Sequence, residues 1–140
     1  MKNVPKMFFA AAALFALCGM VWGIQMSATH DHSLSPAHGH LNLIGFVMMS
    51  VFGIYYALTP DAGRSRIAGL HFVLNTATVL VLTPGIAVAI SGRTEVLAQI
   101  GSVLAVLSMA LFGFVILRYG VGHASNEAGS DSSMSSQPAE

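Results

Sequence analysis

Charge is what this sequence has least of. Only 9% of its 140 residues are Asp, Glu, Lys or Arg, whereas an ordinary soluble domain carries about a quarter. So sparse a supply cannot cover a water-exposed surface. The basic and acidic residues also balance, six against six, and no basic run or aromatic-basic interleaving is present, which argues against nucleic acid as a partner. Cysteine is nearly absent. Cys18 alone rules out an intrachain disulfide and a two-thiol redox motif, and its place inside an apolar segment reads as a small core residue. No convincing internal repeat is visible.

Hydrophobic residues are abundant instead, at 54%, and they fall into four blocks, Met7–Met26, Leu41–Leu58, Ile67–Ile90 and Val96–Leu117. None contains Asp, Glu, Lys or Arg. Each is close to the roughly 20 residues that cross about 30 Å of hydrocarbon as a helix. Their length, their Ala, Leu and Met content and the lack of period-2 alternation favour helix over the strands of a membrane barrel. The expected fold class is all-α: one four-helix transmembrane bundle over residues 1–119, with the lipid bilayer as its solvent. Residues 120–140 are polar and small, without apolar periodicity, and read as a disordered cytoplasmic tail. The first block is longer than the core of a secretory signal and no A-x-A-like site follows it, so it is expected to be retained as a helix.

Basic residues near the ends of the blocks set the orientation. With the N-terminus inside, Lys2, Lys6, Arg64, Arg66 and Arg118 are cytoplasmic and only Arg93 lies outside. This predicts N-in, C-in topology, an outer loop Ser27–His40, an inner turn around Pro60-Asp61-Ala62-Gly63 and a short outer turn Ser91–Glu95. Pro84, inside the third block, removes a backbone donor and is expected to kink that helix.

Four of the six histidines, His30, His32, His38 and His40, crowd into the outer loop and the start of the second block. Imidazole is a common ligand of copper, zinc and haem iron, so these four are the candidate metal ligands. The competing reading of His30-Asp31-His32 is a solvated loop. His38 and Asn42 are four apart, and their face continues through Gly45, Met49, Gly53 and Tyr56, a stripe that should point into the bundle because polar groups facing lipid are expensive. On a regular helix His40 projects about 200° from His38; either His38 sits in a non-helical cap or the two have separate roles. His71, Asn75 and Thr78 repeat the pattern on the third block, as ligand or as interhelical hydrogen bond, with Asn42 and Asn75 as polar support. At 1.5 Å per residue His40 and His71 differ in depth by on the order of 20 Å, so one ion cannot join them. Gly19 with Gly23, and Gly101 with Ala105, have the small-xxx-small spacing of close helix packing.

The run Pro36-Ala37-His38-Gly39-His40-Leu41-Asn42-Leu43-Ile44-Gly45-Phe46, followed by Phe52-Gly53-Ile54-Tyr55-Tyr56 and Gly69-Leu70-His71-Phe72, resembles small bacterial membrane proteins grouped with haem-copper cytochrome c oxidase subunit I, of the cbb3-type. The resemblance implies an inner-membrane location, His38, His40 and His71 as the cofactor-binding positions, haem or copper as the cofactor, and other respiratory subunits or further copies of the chain as partners. Four helices are too few to hold the whole oxygen-reducing centre of such a subunit. The expected function is therefore a haem- or copper-associated respiratory component or accessory, and the alternative is a non-redox membrane metal-binding or assembly factor with structural histidines.

Overall fold

The computed structural model describes residues 3–122. Its helices are α1 (Val4–Thr29), α2 (Ser35–Leu58), the short α3 (Pro60–Arg64), α4 (Arg66–Ile90) and α5 (Val96–Tyr119). The fold is all-α among the described residues, and α1, α2, α4 and α5 are each long and apolar enough to cross a membrane. Many large apolar side chains point outward, among them Leu14, Val21 and Ile24 of α1 and Val103, Val106 and Leu117 of α5. Water would not tolerate so much contiguous apolar surface, whereas lipid requires it. The chain is thus built as a multi-pass membrane protein. Cys18 belongs to that outer surface and is exposed, a correction to its reading as a core residue.

Every span is longer than its apolar block, because helix geometry continues into polar residues that satisfy backbone groups at the ends. The largest difference is at α2, which begins at Ser35 instead of Leu41. Pro36 occupies its first turn, where a missing N–H does no harm. The expected outer loop therefore shrinks, and His38 and His40 are both helical. Between Leu41 and Met48 the helix widens to a π segment, in which the backbone bonds skip five residues and the following side chains are rotated around the axis. At the other end, Pro60–Arg64 forms a single helical turn where a plain turn was expected, and Ser65 caps α4 by accepting from the Ala68 N–H. The α4 helix runs unbroken through Pro84.

Glycines decide how closely the helices approach. A Cβ on Gly101 of α5 would stand 2.6 Å from Leu82 Cα of α4, and one on Gly85 of α4 would stand 2.7 Å from the Ala98 backbone nitrogen. These two helices touch backbone to backbone. Between α1 and α2 the equivalents are Gly45 against Phe15 and Gly53 against Phe8, at 3.0 and 3.2 Å from the respective Cβ atoms. The stripe expected on α2 does face inward: Gly45, Met49, Gly53 and Tyr56 are buried, and His38 and Asn42 half-buried. The chain just after α5 is also tied down, since Tyr55 Oη donates to the Gly120 carbonyl at 2.7 Å and Gly122 N–H to Thr59 Oγ1 at 3.1 Å. Of the expected tail, residues 120–140, only 120–122 are among the described residues; residues 123–140 lie outside them.

Candidate functional site

The alternating helices place the histidines at two ends of the bundle. His30, His32, His38 and His40 lie where α1 ends and α2 begins; His71 lies in the second turn of α4, toward the end that carries Lys6, Arg64 and Arg118.

At the first end only His38 turns inward. Its Nε2 is 2.9 Å from the Gly19 carbonyl of α1 and 3.1 Å from Asn42 Nδ2. One ring nitrogen cannot donate to the first and accept from the second at once. Asn42 Nδ2 has a second acceptor in the His38 carbonyl, 3.1 Å away. The consistent network therefore has His38 Nε2–H donating to Gly19 and Asn42 donating to the His38 backbone, with Nδ1 carrying the lone pair. The small-residue pair on α1 makes this fit. Asn42 lies directly over Gly19, where any side chain would collide with its amide, and a Cβ on Gly23 would come to 3.4 Å from His38 Nε2. Trp22 closes the ring edge-on at 5.9 Å.

The other three histidines at this end are exposed. His40 projects away from His38, as helical spacing requires, and its Nδ1 bonds the Pro36 carbonyl at 2.8 Å. His30 ends α1 in the left-handed conformation at φ 55°. Beside His32, Asp31 accepts from the Ser33 N–H at 3.0 Å, and that bond holds its carboxyl below the usual carboxylate range. Among the described residues no three of His, Cys, Asp and Glu converge as ligands of one ion.

His71 is wholly buried. Its Nδ1 is 2.9 Å from Tyr56 Oη, and Phe52, Phe8, Phe112 and Tyr56 surround the ring with centroids at 4.4 to 5.8 Å. Its Nε2 has no partner among the described residues. If the tyrosine hydroxyl donates to Nδ1, the orphan is one N–H; if Nδ1–H donates to the tyrosine, both a bare Nε2 lone pair and a free hydroxyl proton remain. The first tautomer is the better satisfied, whereas a metal requires the second. With the ring wholly enclosed, a haem could reach Nε2 only if the surrounding side chains moved. The donor type suits a metal, but the aromatic shell as packed does not fit a haem.

One turn further along α4, Asn75 Oδ1 accepts from Ser108 of α5 at 3.0 Å while its Nδ2 has no partner among the described residues. Thr78, also on this face, is buried and bonds back to the Leu74 carbonyl. Sequence reading found His71, Asn75 and Thr78 but missed the partners Tyr56 and Ser108. Tyr56 stood on the expected inward stripe of α2, and Ser108 continues the spacing of Gly101 and Ala105, so the signal was present without a means of pairing it across helices. The Gly19 carbonyl carried no signal, because a backbone acceptor has no residue type. No protein-family model matches the chain, and neither a curated protein nor a solved structure is similar to it beyond chance.

Proposed function

We propose that the protein is an accessory or assembly component of a bacterial respiratory membrane, with its intramembrane histidines joining helices. The observation that carries this reading is that both inward histidines spend a ring nitrogen on another helix: His38 on Gly19 of α1, and His71 of α4 on Tyr56 of α2. The respiratory setting rests on the resemblance of the Pro36–Phe46 run to subunit I-like proteins. One observation favours the second reading, direct association with haem or copper: the unpartnered, fully buried His71 Nε2. A bound metal there would supply one-electron transfer.

An optical spectrum and metal analysis of the protein purified in mild detergent separate the two. The expected result is a colourless protein without stoichiometric metal; a Soret band or one copper per chain, lost in His71→Ala, establishes the second reading instead. The charge bias further assigns the basic end to the cytoplasm. Reporter fusions after Arg66 and Arg118 should then be cytoplasmic and one after Arg93 periplasmic; the reverse pattern overturns the N-in, C-in assignment.

A further inference from the structure

A cavity of about 190 Å³ opens sideways between α2 and α5. Leu43 and Met109, both largely exposed, stand at its rim, and the buried Phe52, Asn75 and Ser108 form its depth. Its wall is almost entirely apolar apart from Asn75 and Ser108. The Asn75 side chain is 2% exposed, its Oδ1 is held by Ser108, and its Nδ2 has no acceptor among the described residues. A buried amide left with two unused N–H groups in hydrocarbon is costly.

Depth restricts what can satisfy it. Asn75 and Ser108 lie near the middles of α4 and α5, and Met48, which also lines the cavity, near the middle of α2. At 1.5 Å per residue Asn75 is roughly 13 Å from the nearer end of its helix, and Ser108 further still. The ester carbonyls of phospholipids lie at the interface, about half of a 30 Å hydrocarbon layer away. An acyl chain can reach the cavity but offers no acceptor, and water is scarce at that depth. Short of a transmembrane helix from another subunit, the missing partner is a hydrogen-bond acceptor on a small molecule that dissolves wholly in the membrane core. The cavity is smaller than the roughly 300 Å³ of ordinary drug-sized pockets, so it admits one flat ring and leaves any tail in the lipid.

We propose that this cavity binds the ring of a membrane-dissolved quinone, with a ring carbonyl accepting from Asn75 Nδ2. Met48 and Met109 supply adaptable apolar contact to such a ring. The inference uses only the cavity and Asn75, and it stands whether or not His71 meets a metal.

The test is equilibrium binding of 2,3-dimethoxy-5-methyl-6-decyl-1,4-benzoquinone to the full chain in lipid nanodiscs, with decylbenzene as the competitor that lacks carbonyls. Asn75→Leu removes the donor at similar volume and should weaken binding about ten-fold, the worth of one buried hydrogen bond. Ala105 also lines the cavity, so Ala105→Leu fills it, leaves Asn75 in place and should weaken binding at least as much. The infrared carbonyl stretch of the bound quinone should move to lower frequency in the wild type. That shift decides the matter if Asn75→Leu fails to fold. Absence of binding, equal binding by Asn75→Leu and wild type, displacement by decylbenzene at equal concentration, or an unshifted carbonyl band each overturns the proposal, the middle two by showing an acyl-chain slot.

Discussion

The two inward histidines use the same chemistry in opposite surroundings. His38 is half-buried near a helix end, beside Trp22, and bonds a backbone carbonyl that already belongs to α1. His71 is sealed among aromatic rings and bonds a side chain, Tyr56, on another helix. Water can replace what His38 loses, whereas nothing near His71 can. A polar group in a membrane protein is consequential in proportion to how completely its alternatives have been removed, which depends on depth and packing more than on residue type.

That contrast breaks first at His71. His71→Ala should destabilise the bundle by about 3 kcal/mol, because it opens a cavity among four rings and strands the Tyr56 hydroxyl. His71→Phe restores the volume and should recover part of this, leaving roughly 1–2 kcal/mol for the stranded hydroxyl. Reversible unfolding in mixed detergent measures both. Equal losses in the two variants would assign the whole effect to the hydrogen bond and none to packing.

A smaller effect sharpens the other side of the comparison. Gly19→Ala places a methyl group against the Asn42 amide and should cost about 1–2 kcal/mol, the ordinary penalty of overpacking. Gly23→Ala, one turn away, meets only His38 Nε2 at 3.4 Å and should be neutral or slightly stabilising, since alanine is the better helix former. Thermal stability in detergent checks the pair. Similar melting points would show that α1 and α2 adjust freely at this end.

Smallest of all are the histidines of that end themselves. His38→Ala should lose about 1 kcal/mol, one interhelical hydrogen bond with solvent near at hand. His40→Ala should change nothing measurable, because the exposed ring bonds only its own helix at Pro36. A His40→Ala loss as large as that of His38→Ala would mean that His40 has a partner outside this chain.

Composition and periodicity alone determined the class of this molecule: four uncharged blocks of spanning length leave helices in lipid as the only way to satisfy the backbone. The inward stripe from His38 to Tyr56, the face of His71, Asn75 and Thr78, and the close approach at Gly101 were legible too, because each repeats at helical spacing. Only the tertiary structure decided the rest. It extended α2 back to Ser35, since a helix end is set by caps and neighbours that hydropathy does not record. It widened that helix between Leu41 and Met48, turned Cys18 outward to lipid, and gave His38 a backbone oxygen, His71 a phenol and Asn75 a serine. Those pairings join residues 15 to 33 positions apart. Spacing within one helix fixes which side chains share a face, but which helix that face meets, and at what level, depends on how all four pack.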